Sequence, residues 1–196
     1  MDLRRTLLLF SFIFTGSLAI AQPKGRWTIQ DGGAIRWSIN DNIPHDDHLE
    51  MSGQQLSVVL RYGVDAQKRF HLNRSLVFPM LRMHPNKTQN NLKQRFDVNI
   101  PALVTVDDQT LLNEEVRDVT FNGIMRVESS FGYIYRRKEL KDAVQLTRVL
   151  YPSTNAAHYC EEYTFKNSSP NQITLRVPEW NVTYTTPEEA GVYGAY

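Results

Sequence analysis

His45-Asp46-Asp47-His48-Leu49-Glu50-Met51-Ser52-Gly53-Gln54-Gln55-Leu56-Ser57-Val58-Val59-Leu60-Arg61-Tyr62-Gly63-Val64-Asp65 is the stretch whose reading decides the fold. Its second half sets Leu56, Val58, Leu60, Tyr62 and Val64 against Ser57, Val59, Arg61 and Gly63, so every second side chain falls on one apolar face. That period is the mark of a strand half-buried against a core. Its first half crowds His45, Asp46, Asp47, His48 and Glu50 into six residues behind Pro44. Read with the polar run from Asn40 to Gly53, this half is expected to be a loop at the head of the strand. Loops held by a rigid scaffold are where binding groups concentrate.

Similar strand signals extend on both sides. Trp27-Thr28-Ile29 and Ile35, Trp37 and Ile39 flank Asp31-Gly32-Gly33, which predicts a hairpin with both tryptophans inward. Asp65 to Lys68 predicts a turn into a strand over Phe70, Leu72 and Leu76 to Phe78, ended or held at an edge by Pro79. Met83 to Asn91 reads as a polar loop, and Phe96, Val98 and Ile100 are spaced as a strand. Asp107-Asp108-Gln109 predicts one hairpin turn. Asn122-Gly123 predicts another between Val116 to Phe121 and Ile124 to Ser130, on the expectation that both of its residues are left-handed.

Tyr133 to Asp142, charged and tyrosine-bearing, is expected to be an exposed connection. Val144 to Tyr151, Tyr159 to Phe165, Ile173 to Val177 and Val182 to Tyr184 read as further strands. No long helical period flanked by caps occurs. About a dozen short strands make an all-β chain, a two-sheet antiparallel β-sandwich.

Arg4 and Arg5 precede an apolar run to Ile20, and Ala19-Ile20-Ala21 has the small-x-small form of a cleavage site. Residues 1–21 are therefore expected to be a signal peptide. Cleavage after Ala21 would release a single domain over 22–196 to the periplasm or beyond, with no membrane span. Losing Asp2, Arg4 and Arg5 takes 22 basic and 21 acidic residues to 20 of each. No basic stripe is left to recommend nucleic acid as a partner. The one cysteine, Cys160, excludes an internal disulfide and reads as a buried, inert thiol. Four Asn-x-Ser/Thr sequences, at Asn73, Asn86, Asn167 and Asn181, read as coincidence beside a bacterial-type signal.

The Pro-His-x-Asp-His-x-Glu-Met-Ser-Gly run and the Ser57 to Asp65 strand resemble the start of large secreted polysaccharide-degrading proteins of Bacteroidetes. In those glycoside hydrolases an N-terminal β-sandwich precedes an α/α toroid of six helical hairpins. Leu72 to Pro79, Leu150 to Thr154 and Gly191 to Gly194 continue the likeness. The resemblance implies a sandwich of the galactose-mutarotase or supersandwich type, a helical catalytic toroid as partner, and catalytic acids in that toroid. No residue here matches those acids. The apolar end at Val192 to Tyr196 is expected to mark a truncation before the toroid.

The His45 to Glu50 cluster has ligand-type residues but no zinc-site or calcium-loop spacing, so no metal and no cofactor are assigned. A glycosidase needs two carboxyl groups at a fixed separation across the sugar. Asp107, Asp108, Glu114, Glu115, Glu161 and Glu162 are adjacent pairs that turns or alternating strands point apart, so none is assigned as catalytic. Aromatic faces pack on the C–H face of a pyranose. Tyr133, Tyr135, Trp180 and Tyr184 are therefore considered for that role, and the two that lie in the charged segment, Tyr133 and Tyr135, join His45, Asp46, Asp47, His48 and Glu50 as substrate-lip candidates. The leading expectation is a non-catalytic sandwich module of a secreted bacterial glycoside hydrolase, with carbohydrate as its ligand. Its rivals are a stand-alone periplasmic carbohydrate-binding protein and a small enzyme using the His45 to Glu50 cluster.

Overall fold

Thirteen strands and one 3-10 turn make up the residues described by the computed structural model, 26–78 and 93–183. The strands are β1 Trp27–Ile29, β2 Ile35–Ser38, β3 His45–Ser52, β4 Ser57–Val64, β5 Phe70–Val77, β6 Lys93–Phe96, β7 Thr105–Val106 and β8 Gln109–Thr110, then β9 Leu112–Phe121, β10 Met125–Tyr135, β11 Lys138–Pro152, β12 Tyr159–Asn167 and β13 Leu175–Arg176. The expected signal peptide, Pro79, the expected Met83 to Asn91 loop, Tyr184 and the Val192 to Tyr196 end lie outside the described residues. No described helix is long and apolar enough to cross a membrane.

The chain is all-β and sandwich-like, with every strand pairing antiparallel. A six-stranded sheet, β1-β2-β9-β10-β11-β12, faces a four-stranded sheet, β3-β4-β5-β6. A small third sheet, β13-β7-β8, joins these two. Leu56, Val58, Leu60, Tyr62 and Val64 are all buried, as their alternation requires. Val58, Leu60, Tyr62 and Val64 meet Trp37, Val119, Met125, Val127 and Leu150 of the six-stranded sheet in the main core. The long β10–β11 hairpin runs past the four-stranded sheet. Its far half, with Phe131, Tyr133, Val144 and Leu146, packs with Val106 and partly buried Leu175 as a second core beneath the small sheet.

Several expectations are corrected. His45 to Glu50 is not a loop but most of the edge strand β3, paired in register from His45↔Val64 to Ser52↔Ser57. Its alternation was hidden because His45 and Asp47 occupy inward positions that usually carry apolar residues. Tyr133 to Asp142 is not an exposed connection either. It forms the end of one hairpin, turned by Arg136 and Arg137 at φ 48° and 68°, with Tyr135↔Lys138 closing the ladder.

The strand expected through Ile100 stops at Phe96, and Ile100–Leu103 is a 3-10 turn started by Pro101. The Asn122-Gly123 hairpin is present, but its connection has three residues, since Phe121 pairs with Met125. Only Gly123 of the two is left-handed, at φ 74°. Val182 and Thr183 form no strand.

Candidate functional site

Because β3 alternates, it divides its own polar cluster. Asp46, His48 and Glu50 face outward, whereas His45 and Asp47 turn toward the interior and are partly covered. The His45 ring stands edge-on to Trp37 at 5.0 Å, and its Nε2 lies 3.6 Å from Asp47 Oδ2. These two residues close the end of the core.

On the outer face, strand register assembles rows of side chains. Asp46, Gly63 and His71 form one row, and His48, Arg61 and Asn73 the next. Asp46 and His71 sit two strands apart, yet Asp46 Oδ1 and His71 Nε2 are 2.5 Å apart. They meet over Gly63, where an added Cβ would collide with both. The absent side chain is what lets the bridge span the middle strand. Around it lies an open hollow of about 530 Å³, lined by Asp46, His48, Val59, Arg61, His71 and Asn73. Imidazole, carboxylate, guanidinium and carboxamide groups on one sheet face present donors and acceptors to a hydroxylated ligand. Among the described residues no three His, Cys, Asp or Glu side chains are grouped to hold a metal ion.

The aromatic candidates behave differently. Tyr133 is fully buried, its hydroxyl 3.3 Å from Ser169 Oγ, so its ring offers no face to a sugar at the surface. The alternation of β10 turns it into the second core. Tyr135 is half-buried at the hairpin tip beneath the Arg136 guanidinium, 5.2 Å from its ring centroid, and lies in the six-stranded sheet rather than in the sheet that holds β3. Trp180 is 42% exposed and packs on Phe96 with ring centroids 5.2 Å apart. The Cys160 thiol is free and half-buried on β12.

A layer of buried charge between the two cores was not anticipated. Arg74 is held by Glu161 through Nε and Nη2, with Tyr163 donating to Glu161 at 2.5 Å. Arg148 Nη1 lies 2.5 Å from Glu114 Oε1 and donates to Ser129 at 3.2 Å. Arg74 stacks over Phe96 and Arg148 over Phe70. Burial, and then the neighbouring Glu161 carboxylate, push the Tyr159 and Tyr163 phenols above their ordinary range. Two of the six carboxylates considered as catalytic, Glu161 and Glu114, thus serve these buried arginines, and Asp108 pairs with exposed Arg176 at 3.4 Å. Of the others, Glu115 pairs with Lys68 at 3.4 Å, Glu162 accepts from Tyr151 at 2.5 Å, and Asp107 and Asp108 form the β7–β8 turn. No sequence signal connects residues 87 positions apart, such as Arg74 and Glu161.

Comparison with protein-family models, with curated proteins and with solved structures returns no match.

Proposed function

We propose that this chain is a non-catalytic β-sandwich module of a secreted bacterial glycoside hydrolase, serving beside a helical catalytic domain in polysaccharide degradation. Its outward β3 to β5 face would contribute a sugar-contacting lip. The observation that carries this reading is the hollow itself. The part of the sequence resembling such enzymes, Pro44 to Asp65, folds into the β3–β4 hairpin whose outward side chains line it. A sandwich of the galactose-mutarotase type is part of the same proposal.

The lip narrows to Asp46, His48, Arg61, His71 and Asn73, with Glu50 one row further along β3. Planar polar side chains suit vicinal hydroxyls, each ligand hydroxyl both donating and accepting. An open face without a deep apolar wall suits a weak, extended contact with a chain held mainly elsewhere.

Affinity electrophoresis of the full chain through gels containing soluble plant polysaccharides tests the reading. Retardation by at least one polysaccharide, reduced in Arg61→Ala and His48→Ala and unaccompanied by new reducing ends, is the expected result. Hydrolysis that disappears in His48→Ala or Glu50→Ala would replace the module with a small enzyme. Unretarded migration in every gel would remove the lip.

A further inference from the structure

The β9–β10 turn is the one place in the chain where glycine follows an asparagine, Asn122-Gly123. Every other asparagine precedes a residue with a side chain, which crowds the backbone nitrogen next to it. Asn122 and Gly123 are both exposed, at a loop tip of the kind where covalent change is tolerated. Gly123 is left-handed at φ 74°, with nothing within 4 Å of the place a Cβ would occupy.

The turn is anchored at its edges, by the Phe121↔Met125 pair and by the Asn122 N–H donating to the Ile124 carbonyl at 3.1 Å. Between those anchors, among the described residues, neither the Asn122 side chain nor the Gly123 N–H has a hydrogen-bond partner. Other asparagine side chains are committed. The Asn113 amide donates to Glu139 at 2.7 Å, and Asn167, which precedes Ser168, accepts from Ser169 and donates to the Asn171 carbonyl.

We propose that Asn122 is a site of spontaneous covalent modification, deamidation through a succinimide formed with Gly123. Solvent base takes the Gly123 amide proton as that nitrogen attacks the Asn122 Cγ. The new N–C bond forms, the bond from Cγ to the side-chain nitrogen breaks, and ammonia leaves with a proton from solvent. Water then opens the ring. Attack at the side-chain carbonyl gives aspartate and attack at the main-chain carbonyl gives isoaspartate, with nothing oxidised or reduced. Either product puts a carboxylate on the turn, and isoaspartate also lengthens the main chain inside a connection of three residues. Gly123 and Ile124 line a groove of about 350 Å³ with Leu49, Met51, Phe121 and Tyr151, so the change reaches that groove. This chemistry does not depend on the chain belonging to a glycoside hydrolase.

Peptide mapping by mass spectrometry of the full chain, kept folded in mildly alkaline buffer, tests the proposal, with isoaspartyl methyltransferase labelling to identify the isoaspartyl product. Asn122 should convert faster than every other asparagine and yield both aspartyl and isoaspartyl peptides. Because the turn leaves both reacting groups free, conversion in the folded chain should be within about tenfold of that in urea, a barrier difference of no more than about 1.4 kcal/mol. Asparagine tolerates the left-handed region. Gly123→Asn should therefore keep the turn while crowding the attacking nitrogen, and should slow conversion of Asn122 at least about tenfold. If that variant folds poorly, the comparison of folded and urea-unfolded parent chain still decides. Asn122 left intact in the folded chain while it converts in urea, another asparagine converting first, conversion without isoaspartyl product, or an unchanged rate in Gly123→Asn would overturn the proposal.

Discussion

Arg74 and Arg148 are each 3% exposed, in a position where an unpaired guanidinium would be costly. Each has its own glutamate from a distant strand. Removing one partner is therefore far more damaging than removing both. Glu161→Gln, which strands the Arg74 charge, should cost about 3–5 kcal/mol by urea unfolding, whereas Arg74→Met with Glu161→Met should cost much less. Equal losses from the single and double variants would show that the pair is not the source of the effect.

Three aspartates set the response to acid. Hydrogen bonds from Ser130, and then from Arg117, lower the Asp142 carboxyl. Burial raises Asp118 and Asp65, but Arg36 and Ser38 outweigh it for the first, and Arg69 and Gln67 for the second, so both end below the ordinary range. Unfolded aspartates titrate near about 3.9. Their stabilising contribution is therefore complete above that pH and disappears as pH falls through the lower folded values. Urea midpoints should hold steady above about pH 5 and decline below about pH 4, with a shallower decline in Asp142→Asn. A midpoint that rose on acidification would contradict this assignment.

At the level of elements, the sequence was legible where one face is apolar. Leu56 to Val64 is unambiguous because no polar residue interrupts its inward set. His45 and Asp47 break that pattern in β3, and Pro44 adds the look of a loop, so pairing with β4 outweighs what local composition suggests. Arg136-Arg137 gave no warning of a hairpin because arginines seldom adopt the left-handed turn they make here. Of the candidate site, the residue cluster was visible, while its division into inward and outward halves and its completion by Arg61, His71 and Asn73 required the register.

The β3–β4 turn is also fastened to its surroundings. Gln54 N–H donates to Thr154 and the Gln55 amide to Asn155, both in the β11–β12 connection. Gly53 approaches that connection so closely that an added Cβ would strike the Ser153 carbonyl, which is backbone and cannot swing aside. Gly53→Ala should cost about 1–3 kcal/mol, read from the unfolding midpoint, and should broaden resonances in both connections. A variant as stable as the parent would mean the two loops are not coupled.

For the whole molecule, the sheets divide the work. The six-stranded sheet and the small sheet enclose the second core, and the four-stranded sheet closes the main core with one face and leaves the other polar. Edge strand β3 carries outward charges on that free face, which also discourages pairing with another chain. The reading of a sugar-contacting, non-catalytic module rests on this free face. Its most direct test is a chemical-shift titration of the full chain with oligosaccharides from any polysaccharide that retards it, followed by analysis of the same tube for cleavage products. Shifts at Asp46, His48, Arg61 and Asn73, lost in Arg61→Ala, with the oligosaccharide recovered intact, are the outcome the account predicts. Intact resonances at those four residues during saturation, or shortened oligosaccharides in the tube, would contradict it.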